Sequence, residues 1–191
     1  EGPEPSYIPP VPPKKEDSGS VCQNGWQKDS QGNWRYQNSD GTFKTGWFRD
    51  ADGKWYYLTA SGAMKTGWLR DTDGKWYYFC TGEEAGDTAG SMQGAGWRVI
   101  GPYYYYFNED GIMQTGSITV DGYNYYLGED GSRKTGWILL ADETDDPEYV
   151  ESWYYFDNTG KRIENEVDKK IDGQYYTFVD GRMQTGWYKL P

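Results

Sequence analysis

Histidine is missing from all 191 residues, which removes the side chain most often used as a general base and as a neutral metal ligand. Aliphatic side chains are scarce too: hydrophobic residues make up 36% of the chain and mean hydropathy is -0.98, too little for a thick aliphatic core. No apolar run reaches the roughly 18 residues of a membrane helix, so no insertion into a membrane is expected. Basic residues number 19 against 30 acidic ones, a net charge of -11. Nucleic acid and anionic lipid surfaces need clustered Lys and Arg, so neither is an expected partner. Without histidine, and with Cys22 and Cys80 as its only thiols, the chain lacks the parts for nucleophilic catalysis. We expect no enzyme, no cofactor and no metal site.

What fills the gap is aromatic: 10 Trp and 19 Tyr, which suit a thin structure where each core residue lies near water. They recur. Glycine-tryptophan steps stand at Trp26, Trp47, Trp68, Trp97, Trp137 and Trp187, and Ser117 and Glu166 fill two further slots where the pattern persists without the indole. The steps between those slots are 21, 21, 29, 20, 20, 29 and 21 residues. One unit of that length buries too little apolar surface to offset its own chain entropy, so the units must stack. Residues 1–20 differ, being proline-rich and then charged, and read as an extended lead and linker before a repeat module over 21–191. The polar start, EGPEP, is what a mature secreted product or a trimmed chain would show.

Each unit reads as a β-hairpin: a short strand from Gly-Trp, an Asp-rich turn closed by glycine, and a second strand such as Trp55-Tyr56-Tyr57-Leu58. The fold class is therefore all-β, a solenoid of about seven stacked hairpins. In the second strand residues two apart share a face, so Trp55 and Tyr57 point one way and Tyr56, like Tyr77 and Tyr105, points into the stack. Insertions near 80–90 and 140–152 lengthen two units and should emerge as surface loops. The second insertion is acidic; a calcium loop is the sharper reading of it and a solvated loop the plainer one. Cys22 and Cys80 are 58 residues apart, close to three repeat lengths, which leaves a disulfide and two buried thiols as equal readings.

Two tryptophans per hairpin, eight residues apart across the turn, are expected beside each other on neighbouring strands: Trp26 with Trp34, Trp47 with Trp55, Trp68 with Trp76, and Trp137 with Trp153 around the second insertion. Trp97 pairs with Tyr104. A methionine or its substitute follows the second turn. Several ring faces and a soft apolar wall at one junction suit a quaternary ammonium group, which has no N–H to donate but is attracted to ring faces and buries its methyls there.

With GWFRDADGKWYYLTASGAMKTGW and GWLRDTDGKWYYF repeated, the sequence resembles the choline-binding repeat family of pneumococcal and related Gram-positive surface proteins over residues 21–191. The resemblance implies a left-handed superhelix of hairpins, with choline held by the two tryptophans of one unit and the second tyrosine of the next, and methionine nearby. Carried onto this chain, the sets are Trp26, Trp34, Tyr57 and Phe43; Trp47, Trp55, Tyr78 and Met64; Trp68, Trp76, Tyr106 and Met92; and Trp97, Tyr104, Tyr126 and Met113. Ser117 and Asn124 leave no cage in the fifth unit. The sixth keeps Trp137, Trp153 and Tyr176, with Arg162 in the methionine slot as a weakening cation, and Glu166 and Gln174 leave none in the seventh.

The function implied is non-catalytic binding of choline or phosphocholine on teichoic acids, holding a small secreted protein outside the cell on the bacterial wall. An adhesin role with a host protein as partner is compatible with the family, though no residue names that partner. Repeats of similar pattern bind glucans, and DGYNYYLGEDG and DGQYYTFVDG resemble those, so a carbohydrate ligand is the alternative.

Overall fold

A computed structural model describes residues 25–51, 53–82, 88–141 and 151–185. Among them there is no helix, and the strands form seven antiparallel hairpins in succession. The first three are β1 (Gly25–Lys28) with β2 (Trp34–Gln37), β3 (Gly46–Arg49) with β4 (Trp55–Leu58), and β5 (Gly67–Arg70) with β6 (Trp76–Phe79). There follow β7 (Gly96–Ile100) with β8 (Tyr103–Phe107), β9 (Gly116–Val120) with β10 (Tyr123–Leu127), and β11 (Gly136–Ala141) with β12 (Glu151–Phe156). The last pairs β13 (Glu166–Ile171) with β14 (Gln174–Val179) and adds the short β15 (Arg182–Met183). The all-β stack of hairpins expected from the repeat is what the chain forms. The proline-rich lead, Cys22 and much of both insertions lie outside the described residues. Of the described residues, those up to Gly96 and Phe107–Met113 make one compact unit, and Trp97–Tyr106 with those from Gln114 onward make a second.

Turn chemistry closes each hairpin. At Asp29 the carboxylate accepts the backbone N–H groups of Gln31 and Asn33, and Gly32 takes the left-handed conformation that the return of the chain requires (φ 85°). Between the turns, Trp, Tyr and Phe supply strand-forming side chains. The ladder sets how the paired tryptophans meet. Trp47 stands directly across from Tyr57, and Trp55 across from Arg49, so the two tryptophans meet on the diagonal of one face. The same register recurs as Trp26 with Tyr36, Trp68 with Tyr78 and Trp137 with Tyr155.

The pleat then decides the packing. Trp47, Trp55 and Tyr57 share one face of the second hairpin; Phe48, Tyr56 and Leu58 share the other, and Tyr56 and Leu58 are fully buried (0% exposed). The first kind of face lies on the second kind of the following hairpin. Trp26 touches Tyr56 (ring centroids 5.3 Å apart) and Phe48 (5.8 Å), and Trp47 touches Tyr77 (4.7 Å) and Phe79 (5.6 Å). Within the second unit Trp97 repeats this on Tyr125 (4.9 Å) and Trp137 on Tyr176 (4.7 Å). Tyr56, Tyr77 and Tyr105 are buried, as the alternation predicts. In the seventh hairpin a bulge between Glu166 and Lys169 shifts the register, and Glu166 faces Phe178, the place that glycine holds opposite Phe156.

A second packing rule concerns glycine. A Cβ on Gly111 would overlap the Met92 side chain and come within 2.8 Å of the Gln93 carbonyl, whereas one on Gly122 meets nothing within 4 Å; both residues have positive φ. Gly122→Ala should therefore cost about 1–2 kcal/mol for backbone strain alone. Gly111→Ala should cost roughly 1–3 kcal/mol more for overpacking. Denaturant unfolding of the two variants checks the difference, and equal losses would contradict the packing role.

Candidate functional site

Each junction gathers side chains from several segments of chain. At the second, Trp47 and Trp55 stand with ring centroids 6.2 Å apart and planes at 83°, both half-buried, and Tyr77 from the next hairpin closes on Trp47 at 72°. Met92 joins through the backbone: its N–H donates to the Trp55 carbonyl at 2.7 Å. Two half-buried indoles, the buried Tyr77 ring and the Met92 backbone thus meet at one junction. The first junction repeats the plan with Trp26, Trp34 and Tyr56, and the Met64 N–H donates to the Trp34 carbonyl at 2.7 Å. The exposed Lys28 amine lies 5.0 Å from the Trp34 ring centroid, a cation already resting on the rim.

In the third hairpin Trp68 and Trp76 are 6.3 Å apart at 87°, Trp68 stacks on Phe107, and the Met113 N–H donates to the Trp76 carbonyl at 2.9 Å. Trp76 remains 39% exposed, so this tryptophan is not sealed into the stack. At the sixth junction Trp137 meets Tyr176 and Phe178, Trp153 is 43% exposed, and β15, which carries Met183, packs on β12.

These placements re-register two elements of the sequence-derived sets. The tyrosine brought to a preceding indole is the first of each pair (Tyr56, Tyr77, Tyr125). The second lies on the indole face of its own hairpin, Tyr57 on Trp47, Tyr78 on Trp68, Tyr106 on Trp97 and Tyr126 opposite Ser117, from which Tyr57 and Tyr126 also reach Phe79 and Phe156 of the next hairpin. Tyr176 alone is met as grouped, because Thr177 follows it, so that the second tyrosine of this pair stands two residues before Phe178 as the first, Tyr77, stands before Phe79. The methionine slot joins two units: Met64 bridges Leu58, at the end of the Trp55 strand, and donates its N–H to the Trp34 carbonyl one hairpin earlier, and Met92 and Met113 likewise bridge Phe79 and Phe107 while bonding to Trp55 and Trp76. Phe43 bridges to Gln37 in its own hairpin, with the Arg35 guanidinium 5.4 Å from its ring centroid. Arg162 bridges Phe156 of the sixth hairpin in the same way, its side chain packs over Gly181 of the seventh, and its N–H donates to the Asn124 carbonyl at the fifth junction.

The fourth and fifth junctions differ in kind. Trp97, Tyr104 and Tyr125 line the fourth, but the methionine slot holds Arg133, whose N–H donates to the Tyr104 carbonyl at 2.8 Å. At the fifth, Ser117 and Asn124 replace both indoles. Arg162 forms a paired bond to Glu164 (2.8 and 2.9 Å), and Asn124 donates to the same carboxylate at 2.7 Å. A cleft of about 440 Å³ opens there, lined among others by Ser117, Asn124, Tyr154, Arg162, Asp180 and Arg182. Burial works against the charge on Glu164, but the bonds from Arg162 and Asn124 and the guanidinium charge hold its carboxyl below the ordinary value of 4.5.

Spacing did not single out the turn aspartates for the site. The Trp26 indole N–H donates to Asp50 of the next hairpin at 3.1 Å, and that of Trp47 to Asp71 at 2.9 Å. Each carboxylate also accepts a backbone N–H of its own turn, so one residue shapes the hairpin, fixes the preceding indole and leaves negative charge beside the opening. Cys80 is buried, and its sulfur accepts from Gln93 at 3.0 Å. The proposed pairing with Cys22 lies outside the described residues, as do Asp142 to Glu148 of the acidic loop read as a calcium site.

Residues 44–85 and 95–136 match the family model described as "Choline-binding repeat", and 151–161 match "Putative cell wall binding repeat". No curated protein sequence matches the chain. Among solved structures, choline binding protein F from Streptococcus pneumoniae is 31% identical with a TM-score of 0.65, over 85% of this chain and 48% of that one. CbpJ from the same organism gives the same values. The modular autolysin LytC, also from Streptococcus pneumoniae, is 26% identical with a TM-score of 0.63, over 88% of this chain and 35% of that one. CbpF is also solved in complex with ipratropium by soaking, and choline binding protein F in the presence of a tetrasaccharide-pentapeptide peptidoglycan analogue. The chain spans about half the length of the first two relatives.

Two outcomes follow from the polar contacts. Asp71→Ala should shift tryptophan fluorescence and cost about 1–2 kcal/mol in urea unfolding, while Asp73→Ala, which removes an exposed ion pair and a turn bond to Lys75 but touches no indole, should leave the fluorescence unchanged. Because the Glu164 carboxyl is more acidic folded than unfolded, its contribution is complete above the ordinary carboxylate value and disappears as pH falls through the folded one. Stability measured from pH 7 down to pH 3 should therefore fall less steeply in Glu164→Gln than in the parent.

Proposed function

Because the repeat region of this chain belongs to the choline-binding repeat family, we propose that its hairpin junctions hold the trimethylammonium group of choline on wall teichoic acids. The second junction carries the reading. Trp47 and Trp55 stand nearly perpendicular, Tyr77 and Met92 complete the surround, and Asp71 sets the indole and adds negative charge. Such a surround attracts a cation through ring faces and buries its methyls, with no need for a hydrogen bond that the ligand cannot make. Ipratropium, soaked into the related CbpF, is likewise a quaternary ammonium ion.

The same argument extends to Trp26 and Trp34, with the fully buried Tyr56 backing the first indole and Met64 beside them, to Trp68, Trp76 and Met113, and to Trp137, Trp153, Tyr176 and Met183. Choline has few heavy atoms, so one site gains on the order of 4 kcal/mol, about a millimolar constant. Several sites on one polymer raise retention by roughly 10²-fold or more through effective concentration. Attachment to the outside of the cell wall is the role this repetition serves. The repeat region acts as a binding module and takes no catalytic part; a host-protein contact would belong to the insertions near 80–90 and 140–152 and to the C-terminal half.

A carbohydrate is the second reading, favoured by one observation: the fifth junction replaces ring faces by a polar cleft with amide, guanidinium and carboxylate groups beside Tyr154. Free choline and a soluble glucan, titrated separately against tryptophan fluorescence, separate the two readings. On an immobilised tertiary-amine column the protein should be retained and released by free choline. Trp55→Ala with Trp76→Ala should elute at a choline concentration several-fold lower, and passage of the unaltered protein straight through the column would remove the proposal.

A further inference from the structure

The fourth junction has the rings but a different fourth member. Trp97 and Tyr125 meet at 4.9 Å, and Tyr104, 43% exposed, stands where other hairpins have the second tryptophan. Met64, Met92 and Met113 each enter through a backbone bond to the carbonyl of that residue, and Arg133 enters the same way. Its guanidinium carbon lies 4.0 Å from the Tyr104 ring centroid and 5.8 Å from that of Trp97. Its Nε is buried and, among the described residues, meets no hydrogen-bond acceptor. The stem fills the space over Gly160 that Met64 fills over Gly90. Arg133 is therefore anchored at its backbone, packed along its stem and held at its head by ring faces.

From this geometry we infer that Arg133 is the resident cation of the fourth junction: its guanidinium takes the place that a choline ammonium takes elsewhere, and it excludes choline there. The inference rests on the choline reading. It names what decides which junctions bind: the residue in the methionine slot, as much as the rings. A delocalised guanidinium suits ring faces, and a second cation entering the same surround meets occupied space and like charge together. Lys28 at the first junction is the useful contrast. It lies across the ladder from Trp34 on an exposed side chain, has no stem packed in the methionine slot, and can swing into water as choline enters.

Arg133→Met tests this, since methionine already fits the equivalent slots. Calorimetry with free choline should show one more site per chain than the parent, with a constant within about tenfold of the others, and Tyr104→Ala added to Arg133→Met should remove the gain. An unchanged count in a variant with the parent's near-ultraviolet circular dichroism would overturn the inference and leave the choline reading intact. If the parent binds none and Arg133→Met binds one, the inference holds and the native-site reading fails; if neither binds, both fall. Should Arg133→Met not fold, a crystal structure of the parent in saturating choline decides: the guanidinium over Tyr104 supports the inference, and choline over that ring ends it.

Discussion

The structure depends on one contact repeated: the indole from one hairpin laid against the first tyrosine of the next. A two-stranded hairpin cannot bury enough surface to persist alone. Its face of Trp, Trp and Tyr would be left in water without a neighbour, as would the opposite face of Phe48, Tyr56 and Leu58. Joining unlike faces of successive units satisfies both, with Tyr56 and Leu58 losing all exposure. The second tryptophan of each pair stands at the margin of that contact. The rings that hold the stack and the rings left partly exposed at its margin are thus members of one set.

Much of this was legible in the sequence because strand alternation is unforgiving. Trp55 and Tyr57 on one side with Tyr56 on the other followed from period two, and the turns announced themselves through Asp and Gly. The phase between units was harder. In a repeat every unit offers the same residues, so spacing cannot say whether a tryptophan meets the first or second tyrosine beyond it, or which methionine completes the set. The answer was available in the alternation itself. A face carrying Trp47 must lie on an opposite face of the next hairpin, and that face displays Tyr77, not Tyr78. Asp50 and Asp71 were obscured differently, since turn geometry explained them sufficiently and concealed their second bond to an indole of the preceding unit.

The re-registration alters the reading of the C-terminal half. Grouped by spacing, Arg162 compromises the sixth set and Met113 supports the fourth. Placed by their backbone bonds, Arg162 joins Asn124 and Glu164 in a polar cluster, and the surround of Trp137, Trp153 and Tyr176 is left with Met183. Aromatic character is lost locally along the chain, at two neighbouring arginine junctions between aromatic ones.

The bond from Met92 to the Trp55 carbonyl means that an opening is never the property of a single repeat. It is shared between a tryptophan pair, the tyrosine of the hairpin after it, and the segment following that hairpin. Gain or loss of a whole repeat leaves every remaining set intact and changes only their number. Gain or loss of part of a repeat strips walls from its neighbours as well. Genetic variation among such chains should therefore move in complete modules, with the last hairpin always lacking a successor to close it.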